Sequence, residues 1–301
     1  MTVQDLWLLP LPDMSLELLL EREGHVLAEA EKAQLDNKRL PKGKHMYAFT
    51  RIALRHVLSR YETHVAPGEW QFSRKSAGKP IIGWPESSLH FNLTHADDLL
   101  VIAVCNHAEV GVDVEALDRE VDVMALSVRY YQPQEIRALS AMSEESARRH
   151  RFLTLWTLKE AAVKATGKGL SRALRDFSFT LQAPGSIQVE QIGEAGQVAV
   201  QGNEHSKEQC TEPVDEQINE QELYPEFWTF TWQDYLLSTA MLRPAKLSQK
   251  PAWLTGAASA GSGQTCQLPR HCHCNGTPDS KQVAHNRNQY QRSLSSSPTS
   301  L

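Results

Sequence analysis

Apolar residues recur along this chain at two different spacings, and the switches between them lay out its elements. Residues 15–33 (SLELLLEREGHVLAEAEKA) repeat at helical spacing behind Ser15, which predicts one capped helix. In residues 44–61, Tyr47, Ile52, Leu54, Val57 and Leu58 alternate with Arg51, Arg55 and Arg60, the pattern of an amphipathic helix with one basic edge. Residues 72–85 (FSRKSAGKPIIGWP) are rich in turn formers and read as a loop. The unbroken apolar run 99–105 (LLVIAVC) predicts a buried strand, and 110–115 a second. His107 and Ala108 lie in the short turn between them, so the two strands read as a hairpin. Helices are expected at 135–142 and 144–165. Antiparallel strands are expected at 177–181, 187–189, 198–200, 227–232 and 235–241. Helices, strands, helices, strands is the order of an α+β fold.

Composition changes this picture in one respect. With 301 residues, 41% hydrophobic and 22% charged, the chain is globular in kind, which excludes collagen, rods and wholesale disorder. Charge, however, is unevenly placed. Beyond residue 245 six Lys/Arg face Asp279 alone, so this tail is +5 and the first 245 residues hold −10 of the overall −5. The tail is poor in large apolar residues and is expected to be disordered. Residues 202–223 hold seven Asp/Glu against Lys207 and read as a solvated loop between strands. No run approaches the roughly 20 apolar residues of a membrane span. The start, MTVQDLWLLPLPDM, lacks a basic leader, which argues against a signal peptide and for the cytoplasm. Cys105, Cys210, Cys266, Cys272 and Cys274 form no disulfide framework. The tail cluster with His271 and His273 lacks the second spaced pair that zinc needs.

Three segments could carry chemistry. In GVDVE (111–115), Asp113 and Glu115 are two apart on a strand and project together, as a hard cation such as Mg²⁺ requires. On spacing alone, an ordinary exposed strand face carries such a pair more often. In WTLKEAAVKATGKGL (156–170), Glu160 and Lys164 share a helix face and Lys159 is turned about 100° away. An exposed ion pair is the plain alternative, but the surrounding Leu155, Trp156, Leu158, Ala161, Ala162 and Val163 predict a helix buried on most sides, where a charged pair needs a reason. The turn Gly167-Lys168-Gly169 offers a further cation and free amides. In RKSAGKP (74–80), Arg74, Lys75 and Lys79 lie on a loop with Gly78. In FNLTHADD (91–98), Asn92, Thr94 and His95 offer donors just before a strand. A solvated basic loop and a hydrogen-bonded turn explain each alone. Together the segments suit a Mg²⁺–diphosphate compound bearing a further phosphate.

In this order, AGKP (77–80), FNLTH (91–95), GVDVE (111–115) and WTLKEAAVKATGKGL (156–170) resemble the larger, monomeric 4′-phosphopantetheinyl transferases, across roughly residues 1–245. The resemblance implies two similar α/β halves related by pseudo-twofold symmetry, with the active site at their interface: 1–108 as coenzyme A cradle and 109–245 with the catalytic carboxylates. The tail 246–301 lies outside it. The implied reaction moves the phosphopantetheine arm of coenzyme A to a serine of an apo acyl or peptidyl carrier protein and releases 3′,5′-ADP. By the same resemblance Asp113, Glu115 and Glu160 bind Mg²⁺, and Glu160 also takes the serine proton or positions the base. Lys164 contacts the diphosphate. Arg74, Lys75, Gly78, Lys79, Asn92, Thr94 and His95 form the coenzyme A cradle, His95 and Thr94 near its 3′-phosphate. Thr94 stands where many members have Ser. Lys38, Arg39 or Arg51 completes the adenosine-phosphate site. The protein is expected to act as a cytoplasmic monomer without nucleic acid. A Mg²⁺-dependent phosphohydrolase and a non-catalytic coenzyme A-binding scaffold are the rival readings.

Overall fold

The computed structural model describes residues 4–75, 78–167, 174–182, 186–192, 198–199 and 223–244. The acidic segment (residues 202–222), the turn residues Lys168 and Gly169, and the tail therefore lie outside the described residues. The chain divides into two units, the break falling between Asn106 and His107.

In the first unit the chain opens with strand β1 (Gln4–Pro10), then helices α1 (Leu16–Glu23), α2 (Glu29–Asp36) and α3 (Pro41–Tyr61). Strands β2 (Gln71–Arg74), β3 (Pro80–Trp84), β4 (His90–Ala96) and β5 (Leu99–Cys105) follow. The opening strand is not among the elements the pattern predicts. The single helix expected over 15–33 is in fact two, broken by a 3-10 turn at Gly24–Val26. That turn lets Leu19, Val26, Leu27 and Leu35 all reach one core, which one straight helix could not do. Ser15 does cap α1, its Oγ accepting from Leu18 N at 3.2 Å. The loop expected over 72–85 contains the antiparallel β2–β3 hairpin.

The sheet order is β1-β5-β4, all antiparallel. β5 pairs along its whole length on both edges, so it has no edge left for the strand that follows, and the expected 99–115 hairpin does not form. Leu100, Ile102 and Val104 of β5 pack with Phe49, Ile52 and Leu58 of α3. The basic edge expected on α3 is partly turned inward. Arg55, 1% exposed, donates to Glu31 Oε2 at 2.6 Å and to the Trp70 carbonyl at 2.5 Å, binding α2 and the start of β2 to the helix. A buried guanidinium is tolerable because its charge is paired and both terminal nitrogens are hydrogen-bonded, although Nε has no partner.

The second unit begins with β6 (Glu109–Ala116), followed by α4 (Val123–Tyr130), α5 (Pro133–Ser140) and α6 (Glu145–Thr166). Strands β7 (Phe177–Gln182), β8 (Ser186–Ile192), β9 (Val198–Ala199), β10 (Leu223–Trp232) and β11 (Tyr235–Pro244) complete it. One sheet runs β10-β11-β6 and another β7-β8-β9, antiparallel throughout. Helix α6 packs Phe152, Leu155, Leu158 and Ala162 into a core with Phe177, Phe179 and Leu236. The helices and strands expected from residue 135 onward fall on these elements; α4 was not expected. The architecture is mixed α and β.

Candidate active site

The site in the second unit depends on how closely α6 approaches β6. A Cβ placed on Gly111 would lie 2.0 Å from the Ala161 carbonyl oxygen and 2.5 Å from the Ala165 amide nitrogen. No residue but glycine fits there, and the small Ala161, Ala165 and Ala240 complete the contact. Ala240 lies opposite Gly111 in the β11–β6 register, and Ser238 opposite Asp113. A 2.7 Å hydrogen bond between Ser238 Oγ and Thr157 Oγ1 fastens α6 to β11 from below.

With the helix seated this way, Lys164 Nζ lies 2.6 Å from Asp113 Oδ1 and 3.9 Å from Glu160 Oε2. The i,i+4 pair that spacing predicts is thus the longer of the two contacts, and the shorter one crosses to the strand. Glu115, two residues beyond Asp113, is ion-paired with Arg119. The three carboxylates feel one another. Burial, and then the nearby Asp113 charge, push both Glu115 and Glu160 up to about 7. Lys164 and Arg119 pull in the opposite direction without cancelling the effect.

Among the described residues, no three His, Cys, Asp or Glu side chains are gathered closely enough to hold a metal as they stand. The donor set nevertheless fits a hard divalent cation. Three carboxylates face two cationic side chains, and burial, with the Asp113 charge added to it, lets two of the acids retain protons well above their ordinary range. A dication beside them would relieve the imbalance.

Lys159, adjacent to Glu160, is a different kind of group. It is fully buried, 2.9 Å from Glu135 Oε2, and donates to the carbonyls of Leu174 (3.1 Å) and Phe177 (2.5 Å). Glu135 in turn accepts from the amides of Gln132 and Phe179, so the pair ties α5, α6 and β7 together. The pair lacks a local spacing pattern that would have revealed it. Gly111 did carry a signal, since glycine within a strand pattern marks close backbone approach. Arg119 carried none.

In the first unit, Arg74, Lys75, Gly78 and Lys79 surround the β2–β3 turn. Gly78 has φ +91°, a conformation suited to glycine; its carbonyl accepts from Arg74 at 3.0 Å, and Lys75 N donates to the Lys79 carbonyl at 2.9 Å. Lys79 is buried. Asn92, Thr94 and His95 lie on β4 itself and not in a turn before a strand, as read from sequence. Alternation therefore separates them: Asn92 and Thr94 are buried on one face, and His95 is exposed on the other. Phe72 of the hairpin packs edge-on against Phe91 of β4, centroids 5.6 Å apart. Arg51 and Lys38 both lie over the Tyr47 ring, at 5.3 and 4.9 Å.

Crowded acids thus lie beside a lysine, on a helix seated against a strand of an α and β fold. Comparison with known proteins carries this to a family. Residues 109–218 match the model of the 4′-phosphopantetheinyl transferase superfamily. The 4′-phosphopantetheinyl transferase HetI of Nostoc sp. (strain PCC 7120) is 32% identical over 188 residues, 61% of this chain and 77% of that protein. The transferase psf-1 of Bacillus pumilus is 34% identical over 135 residues, 44% of this chain and 55% of its own length. Sfp of Bacillus subtilis (strain 168) is 29% identical over 140 residues, 46% and 59%. A crystal structure of the Thermotoga maritima holo-acyl-carrier-protein synthase overlays with a TM-score of 0.31 at 18% identity, covering 45% of this chain and 63% of that one, too slight a likeness to bear on the fold. The chain belongs to the 4′-phosphopantetheinyl transferase superfamily. Among the described residues, no helix is long and apolar enough to cross a membrane.

Proposed function

We propose that the protein transfers the 4′-phosphopantetheine arm of coenzyme A to a serine of an apo carrier protein, releasing 3′,5′-ADP, with Mg²⁺ as cofactor. The observation that carries this reading is the seating of α6 on β6 at Gly111, which gathers Asp113, Glu115, Glu160 and Lys164. In the reaction the serine oxygen bonds to the phosphopantetheine phosphorus while the bond from that phosphorus to the bridging oxygen of ADP breaks. Asp113, Glu115 and Glu160 are the residues that would hold Mg²⁺, which when bound supplies Lewis-acid stabilisation of the diphosphate charge. Glu160, held near 7, can accept the serine proton at neutral pH. Lys164 sits beside both Asp113 and Glu160 and is placed to donate to the oxygen on which charge develops as ADP leaves.

Arg74, Lys75, Gly78, Lys79, Asn92, Thr94 and His95 are assigned to coenzyme A on the strength of the family resemblance. So are the two equivalent halves, the monomeric state and the cytoplasmic setting. Incubation with coenzyme A, Mg²⁺ and several apo acyl and peptidyl carriers, read by intact mass, tests the activity. One phosphopantetheine added to a carrier is the expected result. Folded protein that modifies none of them overturns it, and diphosphate cleavage without a carrier would favour a phosphohydrolase.

A further inference from the structure

We propose that Arg119 is a positioning residue that competes with a divalent cation for Glu115, and so sets how tightly the free protein holds metal. This rests on the assignment of Asp113, Glu115 and Glu160 as the ligand set. The observation is that the three acids are not equivalently partnered. Asp113 and Glu160 face the Lys164 ammonium, while Glu115 is engaged by a separate cation on a separate support.

That support is built into the backbone. Past the end of β6, Leu117 N donates to the Asp234 carbonyl at 2.8 Å and Arg119 N to the Ala116 carbonyl at 3.1 Å, turning the chain back on itself. The turn returns the Arg119 guanidinium to the Glu115 carboxylate and lays it over the Trp156 ring, 5.7 Å from the centroid. Trp156 is itself held, stacked on Phe152 at 5.8 Å and edge-on to Tyr130 at 5.6 Å. The Arg119 contact thus occupies one of the two carboxylate oxygens that a metal would use. A guanidinium does not lose its charge at any pH at which the protein is folded, so an approaching dication meets a fixed positive group across the shared carboxylate.

The opposite role is also physically possible: a partner that orients a ligand strengthens metal binding, and its loss weakens it. The two roles differ in sign, which makes the test decisive. Mn²⁺ binding to the full chain without coenzyme A, followed by electron paramagnetic resonance of the free ion, is the readout. Arg119→Gln is expected to tighten Mn²⁺ by at least about tenfold. Glu115→Gln alone removes a ligand and leaves Arg119 unpaired, so it is expected to weaken Mn²⁺ binding, and the gain from Arg119→Gln should vanish when Glu115→Gln is added. Unchanged or weaker binding in Arg119→Gln overturns the proposal. So does a gain that survives in the double variant, which would mean simple removal of charge, or no binding by Arg119→Gln at about 1 mM Mn²⁺. Should Arg119→Gln not fold, Arg119→Lys, which keeps the charge but loses the planar guanidinium, is expected to tighten binding by a smaller factor. Carrier mass on the wild-type protein is read separately, so failed transfer and failed coupling are distinct results.

Discussion

Lys159 and Lys164 lie on the same helix, each beside a glutamate, yet their surroundings are opposite in kind. Lys159 is fully buried, and its charge meets Glu135 and two carbonyls, while Glu135 has two backbone amides besides. Every charge there has a partner. Around Lys164, three carboxylates crowd together and two of them stay protonated to about 7. The saturated pair fixes the helix in place; the unbalanced cluster has charge left over for a ligand. The difference shows that satisfaction of charge, more than its mere burial, separates scaffold from site on α6.

The largest effect should come from undoing what both lysines depend on. Gly111→Ala sets a methyl carbon against the α6 backbone, and backbone atoms cannot move aside as a side-chain tip can. A stability loss of about 3 kcal/mol or more and loss of transfer are expected, measured by denaturant unfolding and carrier mass. Unfolding at the wild-type midpoint would show that the close approach is unimportant.

Next, exchanging the two lysines for methionine should separate stability from turnover. Lys159→Met leaves Glu135 buried without its cation, a loss of about 3–5 kcal/mol. Lys164→Met should cost far less stability and lower kcat by about 100-fold, by analogy with losing one donor to a developing oxyanion. Equal losses of stability would erase the distinction between them.

The smallest effect concerns pH. Glu115 and Glu160 have folded values of about 7 against an ordinary 4.5, so between these values the folded chain binds more protons than the unfolded one. Their contribution to stability is therefore largest below about 4.5 and falls as pH rises to about 7. Without metal, the Glu115→Gln/Glu160→Gln double variant should lose this slope, its melting temperature gaining on the wild type by roughly 5 °C across that interval. Parallel melting curves would contradict the crowding of the acids.

The long elements were legible because their patterns are local. Helices α3 and α6 repeat apolar residues over five turns or more, and β5 is apolar at every position. The hairpin expected after β5 does not form because strand partners are chosen over long distances: β1, from the far end of the sequence, takes one β5 edge and β4 the other. The β2–β3 hairpin hid behind Gly78 and Pro80, which mark a turn without showing the short polar strand before it. At the candidate site, the two-residue spacing of Asp113 and Glu115 and the four-residue spacing of Glu160 and Lys164 could be read directly. Their meeting could not, because it depends on Gly111 facing Ala161. Nor could Lys159 be assigned, its partner Glu135 lying on another helix.

In the proposed reaction the unbalanced cluster carries out the transfer, and Glu160 is the group that takes the serine proton. The most direct measurement is the single-turnover rate of phosphopantetheine addition to an apo carrier by Glu160→Gln, followed by intact mass beside the wild type. A drop of about 100-fold or more with the melting temperature kept is the predicted result. A Glu160→Gln protein that loads its carrier at the wild-type rate would contradict the claim.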